Sequence, residues 1–389
     1  MDGASEYLLY NINMKLESLK LHYFRNYLDE TIKFDPRVNI MTGKNGEGKT
    51  NLVEAVYLLS MGRSFRTNKD MRMICFDKDA FAVTGGFEKD GDRLDIEVRM
   101  AGRQKEIFIN GVPHRKSADL QGLIYTVLFS PDDLRITNGE PENRRRFMDR
   151  ELFQIKPLYY LDVHRYRRIL KNRNLLLKEE IIDTELLDTY DNFLAESAAR
   201  IVSARLYFSG LLDGISGELA LRITDGKEKL SVGYVSGFDL EDETLSCFDG
   251  TCSADEQKEV LLEIIRSGHS HDIESGTTTA GPHKDDLRLI SSGVDLREYG
   301  SRGQQRTAAL ALKLAELEII ENECGQKAIL LLDDVLSELD KDRQKFLIGA
   351  FEGHQILLTA AELTQEMLNE FPKGKTFEII NGSASEKSR

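Results

Sequence analysis

The sequence predicts an α/β fold in which a mixed-sheet lobe carries a phosphate-binding loop and a second, helical lobe is inserted into it. Three observations predict this. Gly43-Lys44-Asn45-Gly46-Glu47-Gly48-Lys49-Thr50 has the spacing of a phosphate loop. The apolar run Ile329–Leu332 ends in two carboxylates, Asp333 and Asp334. Between these motifs, from about Pro141 to Leu221, the pattern turns charged, leucine-bearing and helical.

In chain order, residues 1–13 match no motif and are set aside as an extension expected to be disordered. From Lys15 to Phe129 the pattern is mostly strand. Val38-Asn39-Ile40-Met41 enters the phosphate loop, and Leu52, Val53, Val56 and Leu59 mark an amphipathic helix leaving it, so that the helix N-terminus faces an anion. The glycines let backbone N–H groups turn toward the phosphates, Lys49 supplies a point charge, and the Thr50 hydroxyl suits Mg²⁺. Leu94, Ile96, Val98 and Met100 alternate with charged residues, and Asn110-Gly111 reads as a hairpin turn. Arg167–Ile182 and Leu186–Phe208 read as helices, Ser236–Ala254 as an acidic loop, Glu256–Ser267 as a helix and Asp286–Ile290 as a strand. Tyr299-Gly300-Ser301-Arg302-Gly303-Gln304-Gln305-Arg306 precedes an Ala/Leu helix from Thr307 to about Glu321. The expected division is therefore a discontinuous nucleotide lobe, 14–135 plus 272–382, a helical lobe, 136–271, and a frayed tail, 383–389. No heptad is sustained long enough for a long coiled coil.

Composition excludes several classes. The chain has 389 residues, 41% hydrophobic and 30% charged, which suits compact folded units. No apolar run approaches the roughly 18 to 20 residues of a membrane span, and the first residues lack a secretion signal. A cytoplasmic protein without membrane contact is expected. Cys75, Cys247, Cys252 and Cys324 are too few and scattered for a disulfide framework and read as free thiols. The net charge of −14 opposes unconditional nucleic-acid binding, because polyanions are repelled unless cations are concentrated. Such concentrations occur at Arg144, Arg145 and Arg146, and at Arg165, Arg167, Arg168, Lys171 and Arg173 among tyrosines. A solvated helix face is the plain alternative.

Ser301-Arg302-Gly303-Gln304 resembles the signature loop of ABC ATPases, and Asp333-Asp334-Val335-Leu336-Ser337-Glu338-Leu339-Asp340 is similar to that family's Mg²⁺ carboxylate, general-base position and D-loop. A wider set of motifs resembles the RecF family of repair ATPases, related to SMC heads. It comprises Leu21–Tyr27, Gly62–Thr67, Phe129–Leu134, Arg144–Asp149, Lys171–Asn174 and Gly281–Leu287. The resemblance implies an ABC-type head that binds ATP and Mg²⁺ and dimerises around ATP. It also implies binding to duplex DNA near single-strand junctions, and recombinase loading with RecO and RecR. On that resemblance Gly43 to Thr50 hold the phosphates, Thr50 and Asp333 hold Mg²⁺, and Asp334 orients water. Ser301, Gly303 and Gln304 complete the site of a second subunit, and Lys49, Asp334 and Ser301 form the catalytic set. Arg25 and Asn26 are candidates to touch the nucleotide, with surface salt bridges as the alternative. Arg144, Arg145, Arg165, Arg168 and Lys171 are candidates to touch DNA.

The sequence departs from the ABC pattern. Arg302 precedes Gly303 where transporters have adjacent glycines, Asp334 replaces the usual Glu, and Thr359-Ala360 occupies the switch-histidine position. Slow hydrolysis, weakly stimulated by DNA, is expected. A transporter ATPase and a non-hydrolysing adaptor are the competing classes. His269-Ser270-His271-Asp272 reads as exposed polar loop rather than a metal cluster, and the Gly281–Leu287 segment has no assigned chemistry.

Overall fold

The computed structural model describes residues 12–362 and 364–387. The chain divides into two compact units: the first runs to Pro131 and resumes at Glu316, and the second is Asp132–Ala315.

The first unit holds two six-stranded sheets. The nucleotide-type sheet has the order Ser383–Lys387, Lys375–Ile380, Val38–Thr42, Ile356–Ala360, Ile329–Asp333, Thr126–Phe129. All its pairings are parallel except the outermost, where Ser383–Lys387 runs antiparallel to Lys375–Ile380. A parallel strand covered on both faces reads as a continuous apolar run, which is why Ile329–Asp333 and Ile356–Ala360 are buried at every position. The helix Lys49–Met61 buries Leu52, Val53, Val56 and Leu59 completely. The second sheet is antiparallel, in the order Tyr27–Lys33, Lys15–Phe24, Ala80–Lys89, Asp92–Ala101, Gln104–Ile109, Val112–His114. Its alternation buries Ile96, Val98 and Met100, and Asn110 and Gly111 both take positive φ, as a two-residue hairpin turn requires.

The second unit is built on Pro141–Ile155, Pro157–Leu176, Thr184–Ile223 and Ala254–Ser267. Proline at the first helical position starts two of them, since its missing N–H is not needed there. Asp183 caps the third and a Ser253/Glu256 capping box opens the fourth. The helix Thr184–Ile223 has 40 residues, longer than the sequence suggests, and packs against the helices Pro157–Leu176 and Ala254–Ser267 rather than projecting as an arm. No helix among the described residues is long and apolar enough to cross a membrane.

Several expectations are corrected. The second unit extends to Ala315 rather than 271, because Asp286–Ser291 pairs in antiparallel register with Leu230–Val235 and draws the following segment with it. Ser383–Lys387 is a strand, not a frayed tail. Of the 1–13 extension, Ile12–Asn13 pairs with Gln326–Lys327, and residues 1–11 lie outside the described residues. Cys247 and Cys252 are joined by a disulfide, since the turn at Gly250 brings their Cα atoms to 4.9 Å. His269–Ser275 is a short helix whose Asp272 is buried against Arg173.

Candidate nucleotide site

The phosphate loop follows the strand Val38–Thr42, one strand removed in the sheet from the carboxylate-bearing Ile329–Asp333. Gly43, Gly46 and Gly48 all have positive φ, and a Cβ on Gly43 would stand 2.4 Å from the Ile379 carbonyl oxygen. Only glycine fits that approach. Lys44, Asn45 and Gly46 are exposed at the tip, and the helix opens at Lys49. Lys49 Nζ curls back to donate to the carbonyls of Gly43 at 2.5 Å and Lys44 at 2.9 Å. Burial lowers its pKa, and the carboxylates of Asp334, Asp333 and Glu47 oppose that shift.

The parallel sheet delivers the acidic pair to the same end. Thr50 Oγ1 and Thr359 Oγ1 each donate to Asp333 Oδ1 at 2.8 Å. Asp334 leaves the strand in a left-handed conformation, φ 53°, with its N–H shared between the Thr359 carbonyl at 3.2 Å and Thr359 Oγ1 at 3.1 Å. The residue at the switch-histidine position thus holds the Asp333 carboxylate and the Asp334 backbone, a role that the missing histidine gave no hint of. A hydroxyl and a carboxylate oxygen in contact fit Mg²⁺, which takes one or two protein oxygens when phosphates and water supply the rest. Thr50 and Asp333 would hold it.

A second layer supports the loop. Glu54, on the helix and fully buried, accepts Arg25 in a fork at 2.8 and 2.5 Å and the hydroxyl of Ser64. Arg66 donates to Asn51 at 2.7 Å, Asn51 to Asn26 at 2.8 Å, and Asn26 to the Glu47 carbonyl at 2.8 Å. Tyr27 OH donates to the Gly48 carbonyl, and burial raises its pKa. Arg25 is therefore committed to a buried carboxylate rather than to a surface bridge, and Asn26 holds the loop backbone. Glu54 escaped the sequence reading; a carboxylate between Val53 and Ala55 on an otherwise buried helix face was its one signal.

The signature segment lies in the second unit. Ser301 Oγ accepts the Gln304 N–H at 3.2 Å while Gln304 Oε1 accepts the Ser301 N–H at 3.0 Å, a reciprocal cap at the start of the helix Arg302–Cys324. Ser301, Arg302 and Gly303 are exposed. That helix opening is exposed and carries the positive end of the helix dipole.

The candidate DNA residues separate. Arg144 is buried, with a bidentate pair to Asp286 at 2.6 and 2.9 Å, so it cannot face a polymer. Arg145 is half-buried and donates to the Asp285 carbonyl at 2.7 Å. Arg165 pairs with Glu196 at 3.0 Å, while Arg168 and Lys171 are exposed. The Gly281–Leu287 segment, to which the sequence assigns no chemistry, forms a polar core. Asp285 accepts from Arg205, Tyr234 OH and the Gly237 N–H at 2.6, 2.6 and 2.7 Å. His283 lies between Tyr166 OH at 2.7 Å and the Thr278 carbonyl at 3.1 Å, and burial pushes its pKa down to about 4. A neutral ring donating from Nε2 and accepting at Nδ1 satisfies both partners.

A mixed sheet that carries a glycine-rich phosphate loop and, with one strand between, a carboxylate in contact with that loop's threonine defines an ABC-type ATPase head. The RecF/RecN/SMC N terminal domain family matches residues 15–379. Two relatives named DNA replication and repair protein RecF, from Clostridioides difficile and Acetivibrio thermocellus, are 40% and 39% identical. They cover 95% and 90% of this chain and 97% and 94% of their own. The recombination mediator protein RecF of the RecFOR pathway, solved with ATP, superposes with a TM-score of 0.87 at 34% identity, over 96% of this chain and 98% of that one. The chain belongs to the RecF family. A Pyrococcus furiosus Smc head, at 14% identity and a TM-score of 0.54 over 97% and 96% of the two chains, shares the fold.

Proposed function

We propose that this is an ATP-dependent DNA-binding protein of recombinational repair and replication restart, a cytoplasmic clamp that two copies form around ATP and that slow hydrolysis opens. The Thr50–Asp333 contact at 2.8 Å carries the reading, because it joins the loop for phosphates to the carboxylate for their metal. When bound, Mg²⁺ supplies charge neutralisation at the β- and γ-phosphates. Loop amides and Lys49 orient those phosphates, and Asp334 holds the attacking water. Its short side chain suits slow turnover. The exposed Ser301 and Gly303, with Gln304 beside them, complete the site of the other copy, the helix dipole directed at phosphate.

Membership of the family supports DNA as the polymer, at duplex and single-strand junctions, and RecO and RecR as partners. Relatives are named for DNA replication and repair, and one solved RecF is placed in the RecFOR pathway. Arg168 and Lys171, both exposed, are the DNA-facing cations of the helical lobe, with Arg165 on the same helix and Arg145 on the preceding one. A chain of net charge −14 must align such patches in two copies before it displaces counterions.

Sedimentation and DNA binding, measured side by side with ATP, ADP and no nucleotide, test this. Dimers and DNA affinity appear together with ATP only, and Arg168→Glu with Lys171→Glu lowers the log–log salt slope by about 0.9 for each DNA phosphate no longer neutralised. Equal DNA binding in all three nucleotide conditions overturns the clamp. An unaltered slope in the double variant moves the DNA surface elsewhere.

A further inference from the structure

The hairpin Lys375–Ile380 and Ser383–Lys387 closes the described chain and meets the phosphate loop at three points. Gly43 lies against the Ile379 carbonyl. The Glu47 carboxylate accepts the Asn381 N–H at 2.5 Å, and the Glu47 carbonyl accepts the Gly382 N–H at 3.0 Å. Gly382 in turn sits so close to Asn26 that a Cβ would stand 2.2 Å from the Asn26 carbonyl oxygen, and Asn26 itself donates to Glu47. Asn381 and Gly382 have φ of 49° and 74°, the pair that a two-residue hairpin turn of this hand needs. The outer strand is fastened independently, by its antiparallel pairing and by the Ala384 N–H to Glu30 at 3.0 Å.

Phosphate chemistry requires none of these interactions, yet they converge on one short loop, two of them on Glu47. A loop containing three glycines within six residues has much conformational freedom to lose on ordering, and a ligand that orders it binds more weakly by that cost. Glu47 adds a second difficulty: it places a negative charge in the loop that must receive a polyanion. Engaging that carboxylate with a backbone N–H of the turn, while the next N–H holds the same residue's carbonyl, addresses both.

We infer that the Asn381–Gly382 turn is a positioning device that pre-orders the phosphate loop through Glu47, so that the end of the chain sets nucleotide affinity. The inference rests on the nucleotide-binding function proposed for that loop, and its test separates the two.

ATP binding to the full chain is compared by calorimetry with binding to Glu47→Ala, Glu47→Gln, Gly382→Ala and a chain ending at Ile380, with Lys49→Met as control. Turnover and nucleotide-free melting are measured on the same samples. Glu47→Ala, Gly382→Ala and the shortened chain each weaken ATP binding about tenfold, the scale of one hydrogen bond to a charged group, through KM rather than kcat. Glu47→Gln, which keeps an acceptor oxygen, recovers most of the affinity, and Glu47→Ala melts as the parent does without nucleotide. Combining Glu47→Ala with the shortened chain costs no more than shortening alone, because both remove the same interaction. Gly382→Ala keeps the test informative where the shortened chain fails to fold. Wild-type affinity in Glu47→Ala, or multiplying effects in the combination, overturns the inference. Unchanged ATP binding in Lys49→Met overturns the phosphate-loop function instead.

Discussion

Thr359 Oγ1 donates to Asp333 Oδ1 at 2.8 Å, and the same oxygen accepts the Thr50 hydroxyl. One carboxylate oxygen is thereby fixed by two hydroxyls, and the adjacent Asp334 N–H returns to Thr359. Thr359→Val removes the hydroxyl while keeping the buried, β-branched shape. We expect Mg²⁺-dependent ATP turnover to fall about tenfold, the scale of one hydrogen bond to a charged group, with Thr359→Ser restoring it. A magnesium titration of ATPase activity checks this. Wild-type activity at every magnesium concentration in Thr359→Val removes Thr359 from the site.

The Arg25–Glu54 pair makes a stability prediction. Glu54 is fully buried and Arg25 supplies two of its hydrogen bonds. Arg25→Met leaves a buried charge short of its main partner and is expected to cost about 3–5 kcal/mol in urea unfolding. Replacing both residues with methionine is expected to recover much of that loss, since no buried charge remains unpaired. A single variant as stable as the parent would show that Ser64 and Arg66, whose guanidinium lies 3.4 Å from Glu54, suffice to hold the carboxylate.

His283 makes a prediction about pH. Burial holds its pKa near 4, against an ordinary 6.5. Between those values the unfolded chain binds a proton that the folded chain refuses. The contribution to stability is therefore complete above about pH 6.5 and is lost as pH falls toward about 4. Asp149 and Asp285 titrate in the same polar core, their pKa values shifted down and up respectively, so the informative quantity is a difference between proteins. Unfolding free energies of the parent and His283→Gln, measured from pH 7 to 4, should converge as pH falls, because only the parent loses this contribution. Parallel curves would show that folding leaves the His283 pKa unshifted.

Much of this arrangement was legible in the residues, for identifiable reasons. Gly43–Thr50 and Ile329–Asp334 are local patterns: loop spacing, an apolar run and paired carboxylates each reside in a few consecutive positions, and the sheet needs only to bring two such pieces together. The hairpin at Asn110-Gly111 was legible because two positive-φ residues announce their own turn. What sequence could not show was pairing over distance. Arg144 sits in a run of three arginines, yet its partner Asp286 is far along the chain, and nothing local distinguishes the buried member from exposed Arg146. Ser383–Lys387 is polar because it is an edge strand, so its composition resembles a loose tail. The 271 boundary failed similarly, since the strand that extends the second unit is defined by its partner at Leu230–Val235.

The most discriminating prediction concerns composite sites. Ser301 is exposed and caps its own helix through Gln304, so Ser301→Arg costs about 1 kcal/mol of cap while placing bulk where a partner's phosphate would sit. Lys49→Met removes the loop's charge, and removing one such electrostatic interaction costs about 10²- to 10³-fold in turnover. Each protein alone should be inactive and should fail to dimerise with ATP, with its fold intact by circular dichroism. In a two-fold dimer with sites shared between chains, a mixed pair sets the intact loop of the Ser301→Arg chain against the intact signature of the Lys49→Met chain. One site is rebuilt and the other is doubly damaged. Random pairing makes half the dimers mixed, each with one good site of two, so roughly a quarter of wild-type activity is the ceiling when sites fire independently. Coupling between sites lowers the rate but not the assembly, so ATP-dependent dimerisation of the mixture is scored beside phosphate release. Recovery of neither signal from two well-folded variants places Ser301 in the service of its own chain's nucleotide, and the shared-site dimer is then wrong.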